Sequence, residues 1–82
     1  MPQICHMTEE KKSLAEKVGN NIRSIRQKKG MSIEKLAFKS DIGYMQLSRI
    51  ELGKINTTIY QVFKISKSLE IDLHEIFHIK EA

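Results

Sequence analysis

The sequence predicts an all-α domain of five helices, and three observations carry that prediction. Apolar residues recur at spacings of three and four, the period of one helix face, while the two-residue alternation of a half-buried strand is weak. The one proline stands at position 2, so no helix interior is interrupted. Residues suited to capping helices, and glycines suited to ending them, bracket the apolar stretches.

The first helix is expected to start after Thr8, with Glu9 and Glu10 in its first turn facing the positive end of the helix dipole. Leu14, Ala15, Val18, Ile22 and Ile25 form its apolar stripe, and Gly30 supplies the stop. Gly19 lies inside this helix at a cost of about 1 kcal/mol relative to alanine, which a close backbone contact would explain. Ser32 reads as the N-cap of a second helix, Ile33 to about Lys39, with Leu36 and Ala37 inward. Asp41, Ile42 and Gly43 form a turn. A third helix is expected from Tyr44 to Leu52, with Leu47 and Ile50 inward and Gly53 ending it. Lys54 to Thr57 read as a loop. Thr58 caps a fourth helix that turns Ile59, Val62, Phe63, Ile65 and Leu69 inward. Asp72 followed by Glu75 is close to a capping box and opens a short fifth helix through Ile76 and Phe77. The expected domain spans residues 8–79, between tails at 1–7 and 80–82.

At 82 residues the chain holds one domain, with about 60% of its unfolded surface buried and no room for a deep substrate cleft and lid. Its single cysteine, Cys5, cannot form an internal disulfide, which suits a reducing compartment. No apolar run reaches the ~18–20 residues that span a bilayer. Met1 to Met7 lack the basic start and apolar core of a secretion signal, so the expected location is cytoplasmic, with no membrane partner.

The formal net charge of +4 is unevenly placed. Residues 22–54 carry Arg23, Arg26, Lys28, Lys29, Lys35, Lys39, Arg49 and Lys54 against Glu34, Asp41 and Glu51, a balance of +5. Residues 58–82 carry Lys64, Lys67 and Lys80 against Glu70, Asp72, Glu75 and Glu81, a balance of −1. One charged face and a separate packing end would produce this division; a solvated helical surface is the alternative.

Two short helices joined by a tight glycine-containing turn make a helix-turn-helix arrangement. With Leu47 and Ile50 turned inward, the third helix leaves Tyr44, Met45, Gln46, Ser48 and Arg49 facing outward. An α-helix fits the major groove of B-DNA, where each base pair shows a distinct donor and acceptor pattern. The helix N-termini at Ser32 and Gly43 offer unpaired N–H groups to phosphate oxygens.

The run Ile22-Arg23-Ser24-Ile25-Arg26-Gln27-Lys28-Lys29-Gly30-Met31-Ser32, then Glu34-Lys35-Leu36-Ala37, Ile42-Gly43, and Leu47-Ser48-Arg49-Ile50-Glu51-Leu52-Gly53-Lys54 resembles the Xre-type family of phage repressor and Cro-like helix-turn-helix proteins. Thr58 and Ile65-Ser66-Lys67-Ser68-Leu69 extend the resemblance, which covers roughly residues 18–78. It implies a five-helix, repressor-like DNA-binding domain with the helix-turn-helix at helices 2 and 3. It further implies binding to operator DNA, commonly as a two-fold dimer. Position by position, Tyr44, Met45, Ser48 and Arg49 match base-facing sites, and Gly43 matches the cap of the recognition helix. Ser32, Lys54, Asn56 and Thr57 match phosphate-facing sites. Arg26 and Glu51 match a charge pair joining the first and third helices; solvated surface charges are the alternative.

The chain departs from the family at Ile33, at Gly43, and at Tyr44 and Met45, where glutamine or serine is often seen. Ile33 stands where glutamine is common, which removes an amide that would bridge a phosphate. Gly43 replaces the usual serine or threonine, which leaves only a backbone amide there. Tyr44 and Met45 are bulky and favour apolar contact with thymine methyls or sugars. Arg49 is then the strongest direct reader, because arginine pairs bidentately with guanine O6 and N7.

The remaining features point away from chemistry. Lys28 and Lys29 read as dipole complements. Cys5 with His6, and His74 with His78, lack a third ligand at metal-site spacing, so no metal is expected. No grouping of nucleophile, base and orienting acid occurs, and no phosphate-cradling loop, so neither catalysis nor a cofactor is expected. Tyr60, Phe63, Ile71, Ile76, Phe77 and Ile79 exceed what two short helices bury on one side. Some belong to the core and the rest to a homodimer patch on the C-terminal helices. The expected function is a sequence-specific transcriptional regulator that binds double-stranded DNA as a homodimer on a palindromic operator. The alternative is an antitoxin or protein-interaction module of a toxin–antitoxin or restriction–modification system that also binds DNA. Non-specific nucleic-acid binding is a third reading.

Overall fold

The computed structural model describes residues 9–78. The described residues form five helices and no strand: α1 (Glu9–Lys28), α2 (Ile33–Ser40), α3 (Tyr44–Glu51), α4 (Ile59–Leu69) and α5 (Leu73–Ile76). Thr8, Ile79 and the two tails lie outside the described residues. Among those described, no helix is long and apolar enough to cross a membrane.

The helix ends follow local chemistry. Ser32 Oγ accepts from the Lys35 N–H at 3.1 Å and starts α2. Thr58 Oγ1 accepts from the Gln61 N–H at 3.0 Å and starts α4. The Glu75 carboxylate accepts from the Asp72 N–H at 3.1 Å at the head of α5. Gly30 (φ 66°) and Gly53 (φ 73°) follow α1 and α3 in the left-handed region, where a side chain is costly. The second helix runs to Ser40, one residue past about Lys39, and the buried Ser40 hydroxyl is satisfied by donating to the Leu36 carbonyl at 2.7 Å. The third ends at Glu51, one residue short of Leu52.

Two C-caps use non-glycine residues in the left-handed region, Asp41 (φ 58°) and Glu70 (φ 59°). Aspartate tolerates this conformation; glutamate has no local side-chain bond that helps it. Glu70 is exposed, so Glu70→Gly should raise stability by about 0.5–1 kcal/mol, the relief being partly offset by glycine's unfolded-state entropy. The urea midpoint checks it.

Val18 and Ile22 from α1, Leu36 and Ala37 from α2, and Leu47 and Ile50 from α3 meet Val62, Ile65 and Leu69 from α4 in one core. Ile42 and Ile76 close it. Three expected inward residues are not there. Leu14 is 51% exposed, Ile59 is 73% exposed, and Phe63 is 43% exposed. At 1.5 Å per residue α1 is about 30 Å long and its first turns overrun the core, which leaves Leu14 uncovered. Ile59 and Phe63 lie four apart on a flank of α4, while Val62, Ile65, Ser66 and Leu69 take its buried side. On that open flank Lys64 lies over the Tyr60 ring and Lys67 over the Phe63 ring, at 5.1 and 5.5 Å from the centroids.

Candidate nucleic-acid interface

The site is built on α3. Leu47 and Ile50 are sealed in the core, and this fixes the rotation of the helix about its axis. Met45 (62% exposed) and Arg49 then lie opposite the buried side, flanked by Tyr44 and half-buried Ser48 on one side and Gln46 on the other. Leu52 is 51% exposed and falls on the same outer face, three residues beyond Arg49 and seven beyond Met45. Its spacing was the signal for it, and reading Leu52 only as the last helical residue missed it.

Arg26 and Glu51 join α1 to the end of α3. Arg26 Nε donates to Glu51 Oε2 at 2.8 Å and Nη2 donates to Oε1 at 3.0 Å, a two-point fork with both residues buried. Arg26 Nη1 donates to the Met31 carbonyl at 2.8 Å, so the guanidinium also pins the loop before α2. Such a pair orients its elements more than it stabilises them, because burial costs each charge its hydration.

The proposed phosphate contacts divide by geometry. Ser32 is exposed and its oxygen already accepts a cap bond, which leaves its hydrogen to donate outward. Gly43 is the extended N-cap of α3 without a side-chain cap, and a Cβ added there would meet nothing within 4 Å. The first-turn N–H groups of α3 are therefore open to an anion. Lys54 is exposed just past α3. Asn56 and Thr57 sit differently: both line a groove with Leu14, Val18, Ile59 and Phe77. The Thr57 hydroxyl donates to Gln61 Oε1 at 2.9 Å, which leaves that side chain no hydrogen for a phosphate.

His74 and His78 line a shallow cleft with Asn21, Ser24 and Lys28. Asn21 Nδ2 donates to the Ile76 and His78 carbonyls at 2.8 and 3.1 Å and ties the end of α5 to α1. Among the described residues no three His, Cys, Asp or Glu groups are placed to hold a metal ion.

A capped α2, a tight turn and an α3 with one sealed and one open face define a helix-turn-helix module. The sequence pattern of the helix-turn-helix family matches residues 22–76, and the chain belongs to that family, in its Xre-like form. It is 39% identical over 61 residues to the HTH-type transcriptional regulator SlrR of Bacillus subtilis, covering 73% of this chain and 40% of that protein. It is 43% identical over 54 residues to control protein C.BamHI of Bacillus amyloliquefaciens, covering 65% of this chain and 67% of that one. This chain therefore spans less than half the length of the first relative and about two thirds of the second. Among solved structures, it superposes on the controller protein C.Esp1396I bound to a 25 base pair operator site with a TM-score of 0.72. That match has 39% identity and covers 78% of this chain and 84% of the other.

Proposed function

We propose that this protein is a sequence-specific DNA-binding transcriptional regulator, not an enzyme, that enters the major groove with α3 and acts in the cytoplasm as a homodimer on a palindromic operator. The observation that carries this reading is the outer face of α3. Tyr44, Met45, Gln46, Ser48 and Arg49 face outward on a helix rigidly held by Leu47, Ile50 and the Arg26–Glu51 fork. Ser32, the α3 N-terminus at Gly43, and Lys54 would grip phosphates and set register. Asn56 and Thr57 would contribute through backbone groups. A structure of the same family carrying operator DNA supports the reading.

The test is selection of bound sequences from a random DNA pool. Enrichment of a palindrome supports both the class and the two-fold symmetry; no enrichment sinks the reading. Lys54→Ala should weaken binding to all sequences alike and flatten the salt dependence by about one unit in slope, read by titrations across salt concentrations.

The dimer surface we infer is the uncovered apolar flank: Leu14, Ile59, Phe63 and Phe77, around the groove between α1, α4 and α5. Of the C-terminal residues expected there, Ile76 is core and Ile71 is partly buried. A two-fold contact would bring this flank against its own copy. Phe63→Glu should raise the dimer dissociation constant by about 100-fold, since it would bury an unpaired charge. Sedimentation at micromolar concentration would then find monomer where the parent protein is dimeric.

A second reading has a specific basis. C.BamHI is a control protein, and C.Esp1396I is a restriction–modification controller protein. This chain would then regulate such a gene pair, and its neighbouring genes would encode a nuclease and a methyltransferase.

A further inference from the structure

The two ends of α3 are seated differently. At its N-terminal end, the space beside Gly43 is open. At its C-terminal end, the backbone of α3 lies directly on α1. Gly19 is buried in the middle of α1, and a Cβ there would fall on the carbonyl oxygens of Ile50 and Glu51, 2.6 Å from the latter. Gly53, just past α3, is buried as well, and a Cβ there would lie 2.6 Å from both Cα and Cγ of Glu16. Arg26 grips Glu51 on the same seam. Residues 16, 19 and 26 share one side of α1, because they are separated by three and seven positions.

Contacts through side chains can shift by changing rotamer, but backbone resting on backbone has no such freedom. A glycine inside α1 weakens that helix, and Gly19 stands where only a missing side chain lets α3 sit this close. Arg49 directly precedes the clamped residue Ile50. Any lift of this seam is therefore passed on to the side chain that would read a base edge.

We propose that Gly19 and Gly53 are positioning residues for sequence reading: they seat the end of α3 on the α1 backbone and thereby set the reach and tilt of Arg49. This rests on the reading of α3 as the DNA-reading helix. A readout group has to be held within about 0.5 Å of its productive geometry, and an added methyl displaces α3 by more than that. Phosphate contacts made by flexible lysines tolerate such a shift. Discrimination between sequences therefore falls while general DNA affinity persists.

The experiment compares binding to the selected operator and to a scrambled duplex, at a temperature where circular dichroism shows each variant folded. Gly53→Asn is the main variant, since asparagine accepts a positive φ and its effect then comes from the pressure on Glu16. Gly19→Ala is the harsher one. Ile65→Val, a core truncation in α4, controls for lost stability. The expected result is about a tenfold fall in the operator-to-scrambled ratio for both glycine variants, with scrambled binding within about twofold of the parent and the Ile65→Val ratio unchanged. A folded Gly53→Asn protein with the parental ratio overturns the proposal. If neither glycine variant folds, Arg26→Lys decides, since it loosens the same seam without adding an atom, and an unchanged ratio there also overturns it. A parent protein with no operator preference would instead overturn the reading of α3 itself.

Discussion

Glu51→Ala should remove about 3–5 kcal/mol of stability. Both partners of the fork are buried, Glu51 almost completely, and the carboxylate accepts from two guanidinium nitrogens at 2.8 and 3.0 Å. Without it, Arg26 keeps one bond, to the Met31 carbonyl, and leaves two donors and a full charge in a space closed to water. At roughly 0.05–0.15 kcal/mol per residue, a domain of this size has about 4–12 kcal/mol in total, so the loss takes from about a quarter to all of it. Urea denaturation should show a collapsed midpoint with an unchanged slope, or no folded baseline. Arg26→Met combined with Glu51→Leu should recover most of the loss, because removing both charges removes the desolvation cost with them. A single substitution as mild as an exposed salt-bridge loss, below about 1 kcal/mol, would show that the pair is solvated in solution.

Arg49→Ala should cost about 1–3 kcal/mol of discrimination, a 5- to 150-fold fall in the ratio of operator to scrambled binding. Arg49 is exposed on the outermost line of α3 beside Met45, and among the described residues its side chain forms no ion pair. Its fork is therefore available to a guanine edge without breaking any internal contact. For the same reason thermal stability should stay within about 0.5 kcal/mol of the parent. Competition titrations against duplexes changed one base pair at a time should show relaxed preference at one position of each half-site. A uniform drop across all sequences would reassign Arg49 to the phosphates.

The helix-turn-helix was readable because its signals are local. Ser32 and Thr58 cap through bonds that reach three residues, and Gly30 and Gly53 stop helices by conformations only glycine adopts cheaply. The outward set on α3 followed from the inward pair Leu47 and Ile50 by helical spacing alone. Leu52 belonged to that set by the same spacing. The Arg26–Glu51 pairing spans 25 positions, and only the resemblance to a family brought the two residues together. The cap at Glu70 was not legible, because nothing in a glutamate advertises a positive φ.

What the sequence by itself determined, then, is the order of the helices, their starts, and which face of α3 is open to solvent. Periodicity and caps are properties of short stretches, and short stretches contain them in full. Only the tertiary structure decided which apolar residues go uncovered. Leu14, Ile59 and Phe63 carry the same spacing signal as true core residues, but the other elements leave them exposed. It also decided why Gly19 is a glycine: the reason is the backbone of Ile50 and Glu51, more than thirty positions away. A helix records in its own residues that it has an apolar side. How far that side is covered depends on where the other helices end.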